Sequence, residues 1–488
     1  MKLHHRRALF LGAFFLFTVV APVVILGASG YRYSFQEQVL VPTGTLVLKS
    51  YPEGAKIFIN RQEEVKRTPA EIQGLSPSRY TLELEADGFR PWRKEVEVQG
   101  HRITAEDQIL LIPKRIAVSS VLNEEIRTFA VSPDGRNLVY VRPGKSAGKS
   151  AGTSDEGESL WLFSLEGEKE RLLFPLHTEE KEVLSSDSAI NRLLWLMEGQ
   201  GIAFSVSTAA SRRYFILPLS EGGKEGAFEV IPPEKGEIDQ WKWSKTGLNL
   251  FFMQGRALYR ADYGTKSIER VVPDPIQGYS LLDHFVYFVT ISPPVLFKQD
   301  LGTGERTEIA ALPIESEGGL TEQLVLSAHG EIALIDRHKV LWLIDNVPSG
   351  RVLPLAGSVQ AALFDETGGR LLYQTKQGLI VHYLQEGGTL GAPEAGSYEL
   401  VVHRRGAVIG PTWYSDQFHI LYGADDAVYI TETGGQGLPN TYSLLRIPGE
   451  APKFVYHDRD QVYFLFRNRL YQADLAFGKP RSLLGSRS

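Results

Sequence analysis

The sequence predicts an all-β chain, most of it a ring of repeated four-stranded sheets, with a small β-domain and one apolar helix ahead of the ring. Three observations predict this. Short runs alternate apolar and polar residues with period two along most of the length. A strand–turn–strand unit with an aromatic third strand recurs from residue 115 onward. The 488 residues include 47 Gly and 26 Pro, the turn residues that many short strands need. At 43% hydrophobic the chain can bury a large core, and its length calls for several domains or a repeat array. With no Cys there is no disulfide framework, thiolate metal site or cysteine nucleophile. The net charge of −6 argues against a nucleic-acid partner, which would need a basic face.

The N-terminus sets the expected compartment. Lys2, Arg6 and Arg7 precede an uncharged stretch from Ala8 to Ala28. As a helix rising about 1.5 Å per residue, this stretch would span roughly 30 Å, the thickness of a bilayer core. The apolar region of a cleaved signal peptide is shorter, and Leu26 fits poorly with cleavage after Ala28. Residues 8–28 are therefore expected to be a transmembrane signal anchor, with Pro22 tolerated inside it. By the positive-inside rule residues 1–7 form a cytoplasmic tail, and the chain from Ser29 onward lies outside, in the periplasm or on the cell surface. Without Lys2, Arg6 and Arg7, 49 basic residues face 58 acidic ones, a net charge of −9 on the exported part.

Residues 29–43 read as a linker, and residues 44–113 as a small β-domain. Thr45 to Ser50 alternates as a strand and Tyr51-Pro52-Glu53-Gly54 turns the chain. Ala55 to Asn60 forms the next strand. Thr68-Pro69, Leu75 to Tyr80, Asp87-Gly88-Phe89 and Trp92 follow in order. Tyr80, Leu82 and Leu84 share one face of their strand, so a half-buried antiparallel sheet is expected. Pro52-Glu53-Gly54-Ala55, the Ile57-Phe58-Ile59-Asn60 strand and these later motifs together resemble the PEGA domain. Ser78 departs from the Gly usual before the family's Tyr. The resemblance implies a small β-sandwich of prokaryotic envelope proteins that acts as an interaction module and carries no catalytic residue.

Residues 115–488 repeat. The clearest unit runs Phe129-Ala130-Val131, Ser132-Pro133-Asp134-Gly135, Leu138-Val139-Tyr140, Ser159 to Leu165 and Arg171-Leu172-Leu173. Further units start near Leu194, Trp241, Leu281, Leu326, Leu363, Trp413 and Val455. Eight units average about 47 residues each, within the range of propeller blades; seven is the alternative count. A lone four-stranded unit cannot cover both its faces, whereas a closed ring covers all of them. Ile116 to Leu122 is placed to add a closing strand to the last blade. The Ser132 to Gly135 turn, with weaker echoes at Trp243-Ser244 and Asp365 to Gly369, resembles TolB-like and WD40-like propellers. That resemblance implies a binding platform. Residues 143–159 and 386–397 are Gly-rich loops outside the blade pattern.

Catalytic motifs are missing from the sequence. There is no G-x-S-x-G elbow, H-E-x-x-H or P-loop, and the eleven His are scattered. His457-Asp458-Arg459-Asp460 is the most concentrated polar cluster, and it reads as a hairpin turn, as does Asp425-Asp426. Asp134 is expected to bond its own turn. No catalytic, cofactor or metal residue is nominated. The expected function is a membrane-anchored, extracytoplasmic binding or scaffold protein of the cell envelope, whose ring contacts another envelope protein or a cell-wall polysaccharide. The alternative is an envelope glycan or peptide hydrolase or lyase with a carboxylate pair in the ring's channel.

Overall fold

A computed structural model of the chain describes residues 3–28, 30–34, 39–144, 158–176, 188–196, 199–208, 211–219, 226–244, 249–314, 323–348, 350–385, 393–404, 406–457, 459–475 and 477. Most of the two Gly-rich loops, the turn residues 245–247 and Asp458 lie outside the described residues.

Helix α1 runs Leu3–Ala28 and contains Pro22. Ten large apolar side chains between Phe10 and Ile25 stand exposed on it. Among the described residues no helix is long and apolar enough to cross a membrane. The helix expected over 8–28 is there; a membrane span is not shown among the described residues. The stretch expected as a linker holds a hairpin, Tyr31–Ser34 paired with Val39–Pro42.

The next domain is a sandwich of two sheets. Ala70–Leu75, Gly44–Tyr51 and Ile103–Leu110 form one, and Gln62–Arg67, Lys56–Ile59, Ser78–Glu85 and Trp92–Val98 the other. Every second residue of Gly44–Tyr51 and of Trp92–Val98 is buried, as period-two strands with one face on a core require. Leu46, Leu48, Ile57, Leu82, Leu84 and Val96 meet between the sheets. The Thr68 hydroxyl lies 2.6 Å from the Ser50 hydroxyl and accepts from the Ala55 N–H at 3.0 Å, so the turn's buried polar groups are satisfied. One pairing departs from the antiparallel expectation: Gly44–Tyr51 runs parallel to Ile103–Leu110. Alternation fixes which face a side chain takes, not which strand lies beside it.

The rest of the chain closes into eight four-stranded antiparallel sheets. Blades 1 to 7 span 128–175, 189–230, 238–270, 276–311, 323–356, 361–403 and 409–446. Blade 8 joins the three strands between 453 and 474 to Val118–Leu122, which pairs with Arg469–Asp474. An early strand thus completes the last sheet and closes the ring without a covalent link. In blades 1 to 7 the first strand lies innermost and the chain proceeds outward; in blade 8 Lys453–His457 is innermost and Val118–Leu122 outermost.

A tryptophan near the end of the inner strand repeats between blades. Its indole N–H donates to a carbonyl of the preceding blade's inner strand: Trp195 to Ala130 at 3.0 Å, Trp243 to Leu194 at 3.3 Å and Trp413 to Leu363 at 3.4 Å. Each indole is thus packed between sheets with its one donor satisfied.

Candidate functional site

Two places gather unusual chemistry. The first lies on the inner strands of blades 2 to 5. In blades 2, 3 and 4 these are Ala189–Trp195, Ile238–Trp243 and Ile276–Leu282, and each carries a bulge. A bulge inserts a residue and re-aims its neighbours. Arg192 and Gln240 sit at the bulges with φ of 45° and 46°, a left-handed conformation that costs a side-chain-bearing residue free energy.

Beside them is a cavity of about 390 Å³. Its wall is Arg192 from blade 2, Gln240, Trp241 and Lys242 from blade 3, Tyr279 and Ser280 from blade 4, and Gln323–Leu326 from blade 5. The Lys242 ammonium donates to the Tyr279 carbonyl and to the Ser280 hydroxyl, each at 3.1 Å. Burial lowers its pKa to about 8, with no carboxylate countering the effect. The Arg192 guanidinium lies 5.1 Å from the Trp241 ring centre. The buried Trp241 indole N–H has no acceptor. Burial raises the Tyr279 hydroxyl well above its usual range, and it donates to the Phe251 carbonyl at 2.8 Å. The wall therefore offers two cations and no carboxylate.

The second place is the seam between the sandwich and blade 7. The Lys94 ammonium is 2.9 Å from the Glu432 carboxylate of the ring and 3.5 Å from Glu106 of the sandwich, with all three side chains nearly out of solvent. Glu432 also accepts from the Trp92 indole at 2.9 Å. The Glu97 N–H donates to Gln436 at 2.8 Å, and the Gln436 N–H donates to Glu106 at 3.2 Å. Arg90 donates to the Ser443 carbonyl at 2.8 Å. Glu399 of blade 6 accepts from the Tyr383 hydroxyl at 2.7 Å and from the Gly434 N–H at 2.8 Å. Burial raises the Glu106 and Glu399 carboxyls above the ordinary range. Burial works to lower Lys94, but the charges of Glu432 and Glu106 outweigh it and hold the amine above its usual value. The loop at 434–437 fits here because Gly435 has no Cβ: one would run into the Lys94 ammonium.

The residues singled out in the sequence lie elsewhere. Asp134 accepts from its own turn, from Ser132 Oγ at 2.6 Å and from the Arg136 N–H at 3.1 Å. His457 Nε2 donates to the Pro133 carbonyl of blade 1 at 3.1 Å, while Nδ1 accepts from the Arg459 N–H. This histidine therefore joins blade 8 to blade 1. Asp460 accepts from Ser415 Oγ at 2.5 Å. Asp425 pairs with Arg404, and Asp426 with Arg446 at 3.4 Å. Among the described residues no three His, Asp or Glu are grouped to hold a metal ion.

Both gatherings escaped sequence reasoning. One signal was available for Lys242. It precedes Trp243 as Leu194 precedes Trp195, so a charge occupies an inner-strand place that is apolar in the neighbouring blade.

The fold is that of a β-propeller chain with a docked accessory sandwich. Residues 43–109 match the model of the PEGA domain. No curated protein matches the chain in sequence. Among solved structures it is similar to the Dos1 propeller, with 8% identity, a TM-score of 0.49, and 74% of this chain and 96% of that one covered. Sqt1 of Chaetomium thermophilum gives 12%, 0.47, 74% and 98%. TolB of Acinetobacter baumannii gives 18%, 0.31, 52% and 62%. These likenesses concern the fold alone, and the strand order of the eight sheets is what defines the ring.

Proposed function

We propose that this chain is a non-enzymatic binding and scaffold protein of a prokaryotic envelope. In this reading α1 anchors it in the cytoplasmic membrane, with residues 1–7 inside and the bulk of the chain outside. The PEGA module is a fixed arm, and the propeller is the platform that meets another envelope protein or a cell-wall polysaccharide. The observation that carries the reading is the seam at Lys94. A single ammonium shared between Glu106 and Glu432 ties module to ring through a buried contact, which suits a part that must present the ring in one orientation. The exposed apolar side chains of α1 support the anchor, since a contiguous apolar surface of this kind belongs against lipid or another protein.

The test is purification of the tagged full-length chain from crosslinked membranes. A stoichiometric envelope protein or glycan retained on the chain is the expected result. Recovery of monomer alone would overturn the platform. Protease treatment of intact spheroplasts tests the topology, and protection of the propeller would overturn the anchor's orientation.

A further inference from the structure

We propose that the inner strands of blades 2 to 5 form an oxyanion-binding site, in which Arg192 and Lys242 hold the carboxylate or phosphate group of a small ligand inside the propeller channel. The site stands on the channel's own residues and holds whether or not the ring also docks a macromolecule.

The argument begins with charge. Lys242 is partly buried and Arg192 exposed, and the cavity wall they share contains no carboxylate; the Asp239 charge reaches Arg192 from outside that wall. An unpaired cation in a partly dehydrated site costs free energy. An anion in the cavity offsets that cost.

The donors are also arranged for an oxyanion. An ammonium has three N–H groups, and Lys242 spends two on blade 4. The third remains for a ligand. Arg192 forms no hydrogen bond or ion pair with any described residue, and Trp241 lies under its guanidinium. Guanidinium offers a planar fork that matches carboxylate and phosphate oxygens, and stacking on an aromatic face fixes its plane.

Backbone and size agree. The bulges that carry Arg192 and Gln240 hold both in left-handed conformations, and such outliers mark places where a side chain is aimed at some cost. A cavity near 390 Å³ lies at the small end of ligand pockets. It takes a single acidic sugar or a phosphorylated small molecule, not a folded partner. Leu324, Val325 and Leu326 give the opposite wall an apolar surface for the ligand's body.

The test is isothermal titration of the full-length chain in detergent with inorganic phosphate and with glucuronate, at constant ionic strength. Chloride and glucose serve as controls. One equivalent of phosphate or glucuronate is expected to bind saturably, and which of the two binds assigns the group. Arg192→Gln and Lys242→Met are each expected to weaken binding at least tenfold while the protein stays folded, Arg192→Gln melting as the parent does. If Lys242→Met fails to fold, Arg192→Gln decides, because that side chain is exposed. The proposal is overturned if neither anion binds saturably, if chloride competes as well as they do, or if folded Arg192→Gln binds like the parent.

Discussion

Lys94 of the PEGA module and Glu432 of blade 7 meet at 2.9 Å with both side chains nearly out of solvent, and Glu106 approaches the same ammonium at 3.5 Å. The two halves of the contact come from different domains, so it is the chemistry of their docking. Desolvation makes such a contact weak evidence of stability but costly to halve. Lys94→Met leaves two carboxylates facing each other in a dry seam. The expected loss is about 3–5 kcal/mol, read as an early transition in urea unfolding when the module leaves the ring. A Lys94→Met, Glu106→Leu, Glu432→Met triple variant is expected to recover most of that loss. A Lys94→Met variant that unfolds like the parent would show that the seam does not depend on this pair.

The same seam sets a pH dependence. Glu106 and Glu399 have folded pKa values above their ordinary ones because they are buried. A carboxyl whose folded pKa is raised binds protons more readily folded than unfolded, so stability falls as pH rises through the raised value. The groups' contribution is fully present below the unfolded pKa and is lost toward neutrality. Docking is therefore expected to tighten as pH drops from 7 toward 5. Glu106→Gln and Glu399→Gln together are expected to flatten that response. The readout is the urea midpoint of the module's transition across this range, and a midpoint that falls steadily on acidification would contradict it.

Ring closure rests on repeated contacts between blades. Trp243→Phe keeps most of the packing but leaves the Leu194 carbonyl without its indole donor. The expected cost is about 1–2 kcal/mol, a lost hydrogen bond plus a small cavity. It should appear as a lower melting temperature for the whole ring. Selective loosening of blades 2 and 3 in hydrogen exchange, with no change in the global midpoint, would show that the blades fold independently.

The two parts of the molecule were unequally legible in the sequence. The alternation at Gly44–Tyr51 and the motifs from Pro52 to Trp92 define the module because they are local. The Ser132 to Gly135 turn and its echoes define the ring because a repeat announces itself. The seam is different: Trp92 and Glu432 lie 340 positions apart, and no local pattern links them. The channel cavity draws one to four residues from each of four strands that fall in separate blades, so their convergence appears only when the ring closes. His457 shows the reverse. It looks chemical beside Asp458 and Asp460, yet in the fold it donates to Pro133 and joins the last blade to the first.

Lys242 provides the last prediction, on stability. Its folded pKa is lowered by burial from 10.5 to about 8. The groups facing it are the Tyr279 carbonyl and ring and the Ser280 hydroxyl, none of them a counter-charge. An amine with a depressed folded pKa is charged at a cost in the native state. That cost is fully present below about pH 8 and is relieved as pH rises from there toward 10.5. Lys242→Met, which keeps the length and removes the charge, is therefore expected to be more stable than the parent at pH 7. The gap should narrow as pH approaches 10, and saturating phosphate should narrow it at pH 7 by stabilising only the parent. Urea unfolding at both pH values, with and without phosphate, reads all three effects. A Lys242→Met variant less stable than the parent at pH 7 without phosphate would show that the two hydrogen bonds to blade 4 outweigh the burial of the charge, and that this lysine is a strut of the ring.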